Sequence, residues 1–357
     1  MAPEPFTAGE VAAMDMALDL AARGVRGANP LVGAVILDAD GEVLATGYHR
    51  GAGTAHAEAD ALANARATGA DVTGATMVVT LEPCNHTGRT GPCAQAIIAA
   101  GLARVVFAAA DTTDEAAGGA AALRAAGVDV AAGLDARDAM ALNARWNQVT
   151  ASRRPFITLK TAQSLDGRIA AADGTSQWIT GAPARRDGHA LRSRVDAVLV
   201  GTGTVLADNP RLTARAADGS MPGRQPLRVV VGRRPVPADA AVRGTDGRFL
   251  QLPSHDPAAV AAALYGRGIR HLLLEGGATL AAAFLRAGLV DELVVYTAPL
   301  LLGAGTASVA GIGVQTLTQA SRWSWDTAAG GAVAHLGADL RLRLQPDPTL
   351  SEEPKDA

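Results

Sequence analysis

The sequence predicts an α/β protein of two domains, in which short apolar strands alternate with helices. The alternation is the first indication, because runs such as LVGAVILD, TMVVTL and ARVVFAAAD are separated by alanine-rich helical segments, a pattern typical of sheets covered by helices. The second is length, since 357 residues suffice for two or three ordinary domains. The third is composition: 48% hydrophobic and 19% charged residues, with 3% aromatic, indicate packed aliphatic cores.

Charge and hydropathy exclude several classes of protein. The net charge is −3, from 32 basic and 35 acidic residues, so no basic surplus indicates a nucleic-acid partner. The start, MAPEPFTAGE, lacks the basic flank and apolar run of a secretory signal. No stretch supplies the roughly eighteen consecutive apolar residues that a membrane span needs. We therefore expect a cytoplasmic protein that binds neither nucleic acid nor membranes.

The first domain is predicted to span residues 1–150. Thr7 and Glu10 form a T-x-x-E capping box that opens a helix. LVGAVILD and EVLATGYH flank the turn Asp40-Gly41 and predict a β-hairpin. Helices are predicted over 56–68 and in AQAIIAAG, which ends at a glycine. Residues 152–155 are the predicted linker to the second domain.

The two cysteines of the chain, Cys84 and Cys93, lie in LEPCNHTGRTGPC. A disulfide is one interpretation, but nothing in the sequence indicates export. Two thiols buried for packing are another, although a polar, glycine-rich loop is a poor place for them. The third is a zinc site, with His56 and Cys93 at two predicted helix starts and Cys84 after a strand. Three such ligands leave a fourth position open for water, the pattern of a catalytic zinc.

The pattern HAE at 56–58, followed by PC at 83–84 and Cys93, resembles the zinc-dependent cytidine-deaminase superfamily, which uses H-x-E and P-C-x-x-C motifs. Here eight residues separate the cysteines instead of two. That longer loop resembles the deaminase half of the bifunctional riboflavin-biosynthesis deaminase–reductases. The resemblance extends to NPLVG at 29–33, GYH at 47–49 and LEPC at 81–84.

This resemblance implies a cytidine-deaminase-like three-layer α/β/α domain that binds one Zn²⁺ per chain through His56, Cys84 and Cys93. Zinc lowers the pKa of bound water toward neutrality. Glu58 is implied as the catalytic residue that carries the water proton to the leaving ammonia. The implied contacts to the substrate are Asn29, His49, His86 and Arg89. An exposed loop charge is the alternative interpretation of Arg89.

The second domain is predicted to span residues 151–348, before a disordered tail at 349–357. Its apolar strands are FITLK, DAVLVGT, LRVVVG, HLLLEGG, DELVVYTAP and DLRLRL, and helices are predicted in APARRDGHALRSRV and ATLAAAFLRAG. We expect a sheet with helices on both faces. Gly276-Gly277 lies between a strand and a helix, where a phosphate can approach the backbone, although such a pair can serve turn geometry alone. The sequence has no G-x-G-x-x-G motif with a downstream acid, so it does not predict a Rossmann domain.

Several segments of this domain resemble the reductase half of the same bifunctional family. They are Lys160, SLDG at 164–167, QWIT at 177–180, TVLADNP at 204–210 and LEGG at 274–277. That half has a dihydrofolate-reductase-like α/β fold and uses NADPH. The resemblance therefore covers nearly the whole chain, with the deaminase first and the reductase second.

The reductase resemblance implies two sets of contacts. The substrate contacts are Lys160, Ser176, Arg192, Leu212, Arg215 and Glu275. The cofactor contacts are Ala162, Trp178, Thr204, Asp208, Gly277, Ala278, Thr279, Leu280, Ala281, Ala282 and Ala283. The planar fork of an arginine suits a phosphate, but Arg192 also fits a helix-surface cation and Lys160 a structural ion pair. Glu275 and Lys160 are the candidates for a general acid.

One segment departs from the family pattern. After LRVVV the family often places a small hydroxyl residue near the 2′-phosphate of the cofactor, whereas this chain has Gly232-Arg233-Arg234. The two arginines could bind that phosphate or be solvated. The preference between NADPH and NADH is therefore open at this point.

The expected function is a two-step enzyme of riboflavin synthesis acting on a phosphorylated pyrimidine. The first step is deamination of 2,5-diamino-6-(5-phosphoribosylamino)pyrimidin-4-one to the uracil derivative, and the second is NADPH-dependent reduction of its ribosyl group to ribityl. One alternative is an active deaminase fused to a non-catalytic ligand-binding domain. The other is a nucleic-acid base deaminase. The resemblance also suggests a homo-oligomer.

Overall fold

The computed structural model describes residues 6–24, 29–51, 53–85, 91–111, 118–216, 218–327 and 331–347. They belong to two compact units, residues 1–151 and 152–357. The predicted substrate contacts His86 and Arg89 and the predicted tail 349–357 lie outside the described residues. Within those ranges, no helix is long and apolar enough to cross a membrane.

The first unit is a five-stranded sheet with helices on both faces. Its elements are α1 (Ala8–Ala22), β1 (Gly33–Leu37), β2 (Val43–Tyr48), α2 (Ala57–Thr68), β3 (Thr76–Leu81), α3 (Cys93–Ala99), β4 (Arg104–Ala109), α4 (Gly119–Ala125), β5 (Asp129–Ala132), α5 (Ala136–Leu142) and α6 (Ala144–Ala151). The strand order is β2-β1-β3-β4-β5. β1 is antiparallel to β2 and β3, whereas β3, β4 and β5 are parallel.

Apolar side chains on both faces of this sheet produce the three layers. Ile36 and Met77 pack with Leu62 of α2 and Ile97 of α3 on one face. Their strand neighbours point to the opposite face, where α1 and α5 cover them. The predicted α/β/α arrangement is therefore confirmed.

Two local predictions for this unit are also confirmed. The Thr7 hydroxyl accepts a hydrogen bond from the backbone N–H of Glu10 at 3.2 Å, and the Glu10 carboxylate accepts from the N–H of Thr7 at 2.8 Å. These reciprocal bonds make the capping box at the start of α1. The predicted hairpin is the antiparallel pair β1–β2.

The second unit contains a nine-stranded mixed sheet and a separate two-stranded sheet. Its elements are β6 (Phe156–Ser164), β7 (Arg168–Ala170), α7 (Ala182–Arg194), β8 (Ala197–Gly201), α8 (Thr202–Asp208), β9 (Leu227–Val231), β10 (Phe249–Leu252), α9 (Pro257–Tyr265), β11 (His271–Leu274), α10 (Ala278–Arg286), β12 (Glu292–Ala298), β13 (Thr306–Ala307), β14 (Trp323–Trp325), β15 (Val333–Leu336) and β16 (Asp339–Pro346). Short 3₁₀ turns occupy Ala241–Arg243 and Leu317–Gln319.

The strand order in this unit is β10-β9-β8-β11-β6-β12-β16-β14, with β15 also paired to β16. The strands from β10 to β12 are parallel, and β16 is antiparallel to β12. One core packs Leu264 of α9 and Phe284 of α10 against one face. A second core packs Leu191 of α7 against the other. The predicted sheet with helices on both faces is confirmed, and parallel strands bring their carboxyl ends to one edge.

A buried polar network lies at the opposite edge, where the parallel strands begin. The Thr158 hydroxyl donates to Glu292 Oε2 at 2.8 Å and accepts from His271 Nε2 at 2.9 Å. His271 is only 5% exposed. Burial lowers its pKa, because a charged imidazole would be poorly solvated there.

This network predicts a loss of stability in mild acid. The unfolded chain binds a proton at His271 below its ordinary pKa of about 6.5, whereas the folded chain resists it to lower pH. The stability of the second unit should therefore fall as the pH drops below about 6.5. His271→Gln keeps an N–H donor for Thr158 but cannot titrate. Native-state hydrogen exchange of the β6 and β11 peptides at pH 7.5 and 5.5 should show a larger loss of protection in wild type than in the variant. Equal losses would contradict the role of His271.

Candidate active sites

Three predicted zinc ligands converge in the first unit. His56 Nδ1 lies 3.6 Å from Cys84 Sγ and 3.4 Å from Cys93 Sγ. The three ligand atoms all lie within 4.8 Å of one another. Both cysteines are buried as free thiols, so neither the disulfide nor the unrelated-thiol interpretation describes them. One imidazole and two thiols form a donor set that suits tetrahedral zinc and leaves a fourth position for water.

The ligands stand at the ends of elements rather than inside them. His56 is the N-cap residue of α2, Cys93 is the first residue of α3, and Cys84 lies three residues beyond the end of β3. α2 approaches β2 closely at Gly47, where a Cβ would lie 2.3 Å from the Ala61 nitrogen and 2.4 Å from the Ala57 oxygen. A glycine at this position therefore sets the distance of His56 from the sheet.

Glu58 lies beside the ligands without belonging to their cluster. It is 4% exposed in the first turn of α2, close to Cys93 and His56. Burial raises its pKa, because the carboxylate loses its hydration. A carboxyl group that holds a proton readily, next to a metal position, can act as a general acid and base.

The two thiols differ in acidity although they are neighbours. A hydrogen bond from the Cys93 thiol lowers the pKa of Cys84, against the opposing effect of burial, and His56 contributes in the same direction. The same hydrogen bond and burial raise the pKa of Cys93. The pair therefore offers one ready thiolate, and a bound cation would favour deprotonation of the second.

Asn29 and His49, two predicted substrate contacts, form a unit beside the ligand cluster. Asn29 Nδ2 and His49 Nε2 are 2.9 Å apart, and His49 Nδ1 lies 2.8 Å from the oxygen of Ala55. The His49 ring meets the His56 ring edge to face at 5.6 Å between centroids. Burial lowers the pKa of His49, so its neutral ring donates from Nδ1 to Ala55 and accepts from Asn29 at Nε2. This arrangement fixes the orientation of the Asn29 carboxamide.

In the second unit, strand register brings together residues that are distant in sequence. β6 pairs with β11 up to Leu159 and Leu274, so the next residues, Lys160 and Glu275, are neighbours. Lys160 Nζ lies 3.9 Å from Glu275 Oε2 and 5.6 Å from the centroid of the Tyr296 ring. Burial lowers the pKa of Lys160, and the charge of Glu275 opposes that effect.

Arg192 completes this cluster from α7. Its Nε and Nη2 donate to the two carboxylate oxygens of Glu275 at 2.6 and 2.8 Å. Burial alone would raise the pKa of Glu275, but the charge and hydrogen bonds of Arg192 lower it to about 2. Glu275 is therefore an anion at neutral pH, which weakens its candidacy as a general acid. The fork of Arg192, predicted to face a substrate phosphate, faces this carboxylate.

The sequence interpretation missed His189. It lies one helical turn before Arg192, and both side chains bond to the backbone oxygen of Thr213, at 3.0 and 3.1 Å. Burial, followed by the charge of Arg192, lowers the pKa of His189, so its ring is uncharged at neutral pH. The spacing i, i+3 in DGHALRSR was the available signal. Thr213 also separates two predicted substrate contacts: Leu212 is buried in the core, and Arg215 is exposed.

The predicted cofactor contacts gather where β8 and β11 lead into helices. Gly277 is the N-cap of α10, and its N–H donates to the hydroxyl of Thr204 in α8 at 3.3 Å. Ala278 and Leu280 are half-buried, and Thr279 is exposed. Thr204 and Gly277 therefore join the starts of two helices at the carboxyl edge of the sheet, where α/β proteins bind ligands.

The other predicted contacts of the second unit differ in accessibility. Ala281 and Ala282 are buried, so their side chains cannot meet a cofactor, whereas Ala283 is half-buried. Trp178 is 69% exposed, and the Arg185 guanidinium stacks 4.6 Å from its ring centroid. Half-buried positions are Ala162 and Ser176, and Asp208 is exposed.

Arg234 lies close to the start of α8. Both Arg233 and Arg234 are exposed beyond the end of β9. The Arg234 Nη2 lies 3.4 Å from the position that a Cβ on Gly203 would take. Its charge therefore stands within one helical turn of Thr204, at the predicted cofactor edge.

Comparison with known proteins divides the chain in the same order. Residues 9–109 match the cytidine and deoxycytidylate deaminase zinc-binding region, and residues 155–329 match the RibD C-terminal domain. The riboflavin biosynthesis protein RibD of Mycobacterium tuberculosis is 46% identical over 342 residues, covering 94% of this chain and 98% of that protein. RibD of Escherichia coli is 39% identical over 367 residues, covering 93% of this chain and 98% of that protein.

Two solved structures share the fold over 95% of this chain and 99% of their own. One is RibD of Acinetobacter baumannii, with 35% identity and a TM-score of 0.76. The other is a diaminohydroxyphosphoribosylaminopyrimidine deaminase/5-amino-6-(5-phosphoribosylamino)uracil reductase of Thermotoga maritima, with 31% identity and a TM-score of 0.74.

The ligand geometry predicts one zinc ion per chain. Cys84→Ser and Cys93→Ser should each lose most of the metal, because a neutral hydroxyl is a far weaker ligand than a thiolate. Metal content after dialysis, measured by inductively coupled plasma mass spectrometry, tests this. Full zinc in either serine variant would contradict the assignment of that cysteine.

Proposed function

The chain belongs to the RibD family, whose members carry a deaminase and a reductase of riboflavin biosynthesis on one polypeptide, and from this premise we propose which residues perform each reaction. The cluster of His56, Cys84 and Cys93 beside the buried carboxyl of Glu58 is the observation that carries the proposal for the first unit. For the second unit, the observation that carries the proposal is the ion pair of Glu275 and Arg192 beside Lys160.

The deaminase reaction belongs to the first unit, where His56 Nδ1 and the two cysteine sulfurs would hold Zn²⁺. Bound zinc supplies a water molecule acidic enough to be a nucleophile near neutral pH. The residues of the chain bring the pyrimidine carbon that bears the amino group to that position. Addition of water and loss of ammonia leave a carbonyl group on the ring, so the atoms balance without another reactant.

Glu58 moves the protons of this reaction. It takes a proton from the attacking water and delivers it to the departing amino group. Its buried position supports this role, because burial raises its pKa and lets the carboxyl hold the proton between the two transfers. Its place one residue beyond Ala57 in α2 keeps it beside the ligands without adding a fourth donor.

The Asn29–His49 pair orients the pyrimidine. His49 accepts one N–H of the Asn29 carboxamide, which leaves the Asn29 oxygen and its other N–H for polar groups of the ring. The neutral state of His49 supports this arrangement, since a doubly protonated ring could not accept from Asn29.

The reductase reaction belongs to the second unit, where bound NADPH would supply a hydride to C1′ of the ribosyl group. The bond between C1′ and the ring oxygen breaks, and that oxygen takes a proton to give ribityl. The half-buried start of α10, which the Gly277 N–H joins to the hydroxyl of Thr204, would hold a phosphate of the cofactor. Trp178 offers an exposed ring for stacking. Lys160 donates to polar atoms of the sugar, with Glu275 and Arg192 fixing its position.

Arg215 is the better candidate for the substrate phosphate, because Arg192 is engaged with Glu275. Arg215 is exposed and its guanidinium can bond two phosphate oxygens.

The proposed substrate is the phosphorylated diaminopyrimidinone, and its deaminated product is the substrate of the second unit. The match to the RibD C-terminal domain favours this two-step function over a non-catalytic second half, and the net charge of −3 disfavours a nucleic-acid base deaminase. A homo-oligomer stays a prediction.

A single assay tests both halves. Ammonia release and NADPH oxidation are recorded together on the diaminopyrimidinone phosphate, first without and then with NADPH. Wild type should release ammonia without cofactor and consume NADPH only after it is added. Ammonia without NADPH oxidation would contradict the proposed reductase, and neither signal from zinc-loaded protein would contradict both roles.

Glu58→Gln should lower the rate of ammonia release by about 10²–10⁴-fold, since an amide cannot carry the proton. Zinc content should be unchanged, because Glu58 is not a ligand. NADPH oxidation with the deaminated substrate should also be unchanged and serves as the internal control. Loss of zinc in this variant would show that Glu58 has a structural or ligand role instead.

Arg234→Ala should change the cofactor preference. If Arg234 binds the 2′-phosphate, its removal costs one charge-assisted contact, and kcat/KM for NADPH should fall about 10–100-fold. The value for NADH, which lacks that phosphate, should stay the same. Arg233→Ala is the matched variant, since both side chains are exposed but only Arg234 approaches Gly203. Equal losses with both cofactors would contradict the assignment.

A further inference from the structure

The start of α4 packs against the segment Glu82–Cys84 and contributes no ligand to the metal cluster. We propose that Glu82 and Gly119 are positioning residues that set the place of the Cys84 sulfur and thereby the zinc affinity of the first unit. This inference rests on the zinc site proposed above, and it assigns a function to a helix outside that site.

Glu82 joins two other elements at the end of β3. Its N–H donates to the oxygen of Ala109 at 2.8 Å, which extends the pairing of β3 with β4 by one residue. Its Oε1 accepts from the backbone N–H of Ala120 at 3.0 Å. That N–H lies in the first turn of α4, where no helical carbonyl is available to it. The carboxylate of Glu82 therefore ties the start of α4 to the strand that leads to Cys84.

Gly119 provides the surface on which the next peptide rests. A Cβ at this position would lie 1.7 Å from the oxygen and 2.8 Å from the carbonyl carbon of Pro83, and 3.7 Å from the carbonyl carbon of Cys84. These atoms belong to the backbone and cannot rotate away as a flexible side chain could. Any side chain at position 119 must displace either α4 or the peptide that carries Cys84.

Cys84 is held from its other side by α3. Its oxygen accepts from the N–H of Ala94 at 3.1 Å, and its sulfur accepts from the N–H of Cys93 at 3.5 Å. Contacts with the starts of both α3 and α4 thus hold Cys84 in place. Zinc ligands must lie within about 0.2 Å of their ideal distances from the metal. A shift of Pro83 by a few tenths of an ångström would therefore move the Cys84 sulfur out of that range.

The test compares four variants of the full chain. Gly119→Ala introduces the clash, and Gly91→Ala is its matched control, because position 91 lies two residues before Cys93 and a Cβ there meets no atom of the described residues within 4 Å. Glu82→Ala removes the acceptor for Ala120, whereas Glu82→Gln keeps an oxygen of the same reach. Zinc affinity is measured by competition with a chromophoric chelator, and the absorption bands of the Co²⁺-substituted protein report the ligand geometry.

Gly119→Ala and Glu82→Ala should weaken zinc binding by about 10–100-fold, the usual effect of removing a support behind a ligand, and should alter the Co²⁺ spectrum. Glu82→Gln should recover most of the affinity, and Gly91→Ala should match wild type. NADPH oxidation with the deaminated substrate shows that each variant retains a folded second unit.

Wild-type affinity in both Gly119→Ala and Glu82→Ala would overturn the inference while leaving the zinc site intact. An unchanged Co²⁺ spectrum despite weaker binding would also overturn it, because the effect would then be general destabilisation. If Gly119→Ala does not fold, the two Glu82 variants decide: equal losses in both would overturn the proposal. Absence of zinc from wild type itself would instead refute the proposed deaminase site and this inference with it.

Discussion

The chemistry of the first unit depends on close contact between backbone atoms at the ends of elements. His56, Cys84 and Cys93 each stand at a helix start or just beyond a strand. Such positions have few neighbours within their own element, so other elements must fix them. The contact of β2 with α2 fixes His56, and the contact of α4 with Pro83 fixes Cys84. The metal site is therefore the meeting point of several packing contacts.

In the second unit, ionic interactions rather than backbone contacts hold the candidate site residues in place. Glu275 follows β11, Lys160 lies in β6, and Arg192 comes from α7. A buried carboxylate costs much free energy unless it is paired and hydrogen-bonded, and the two bonds from Arg192 meet that requirement. The pairing leaves Glu275 ionised and holds it beside Lys160. Ionic contacts thus bring together a carboxylate, a lysine and an arginine from three separate parts of the second unit.

The sequence allowed the fold class, most strands and the candidate zinc ligands to be predicted, because these depend on local patterns. Apolar runs predicted β6, β8 and β11, and the HAE and PC patterns pointed to ligands that the structure brings together. Contacts between distant residues could not be predicted. The Arg192–Glu275 pair joins positions 83 residues apart, and the sequence around each residue does not indicate its partner. His189 was missed because its partner is a backbone oxygen, which any residue can supply.

Gly47 illustrates a further consequence for the adaptation of such an enzyme. Replacing glycine by alanine is a common route to thermal stability, because it reduces the freedom of the unfolded chain. At Gly47 that route is closed, since a methyl group would enter the backbone of α2. At Gly91 a Cβ would meet no atom of the described residues within 4 Å, so packing against them leaves that route open. Position 47 therefore cannot contribute to heat resistance by this substitution, and the close approach of α2 to β2 restricts how the sequence of the first unit can change.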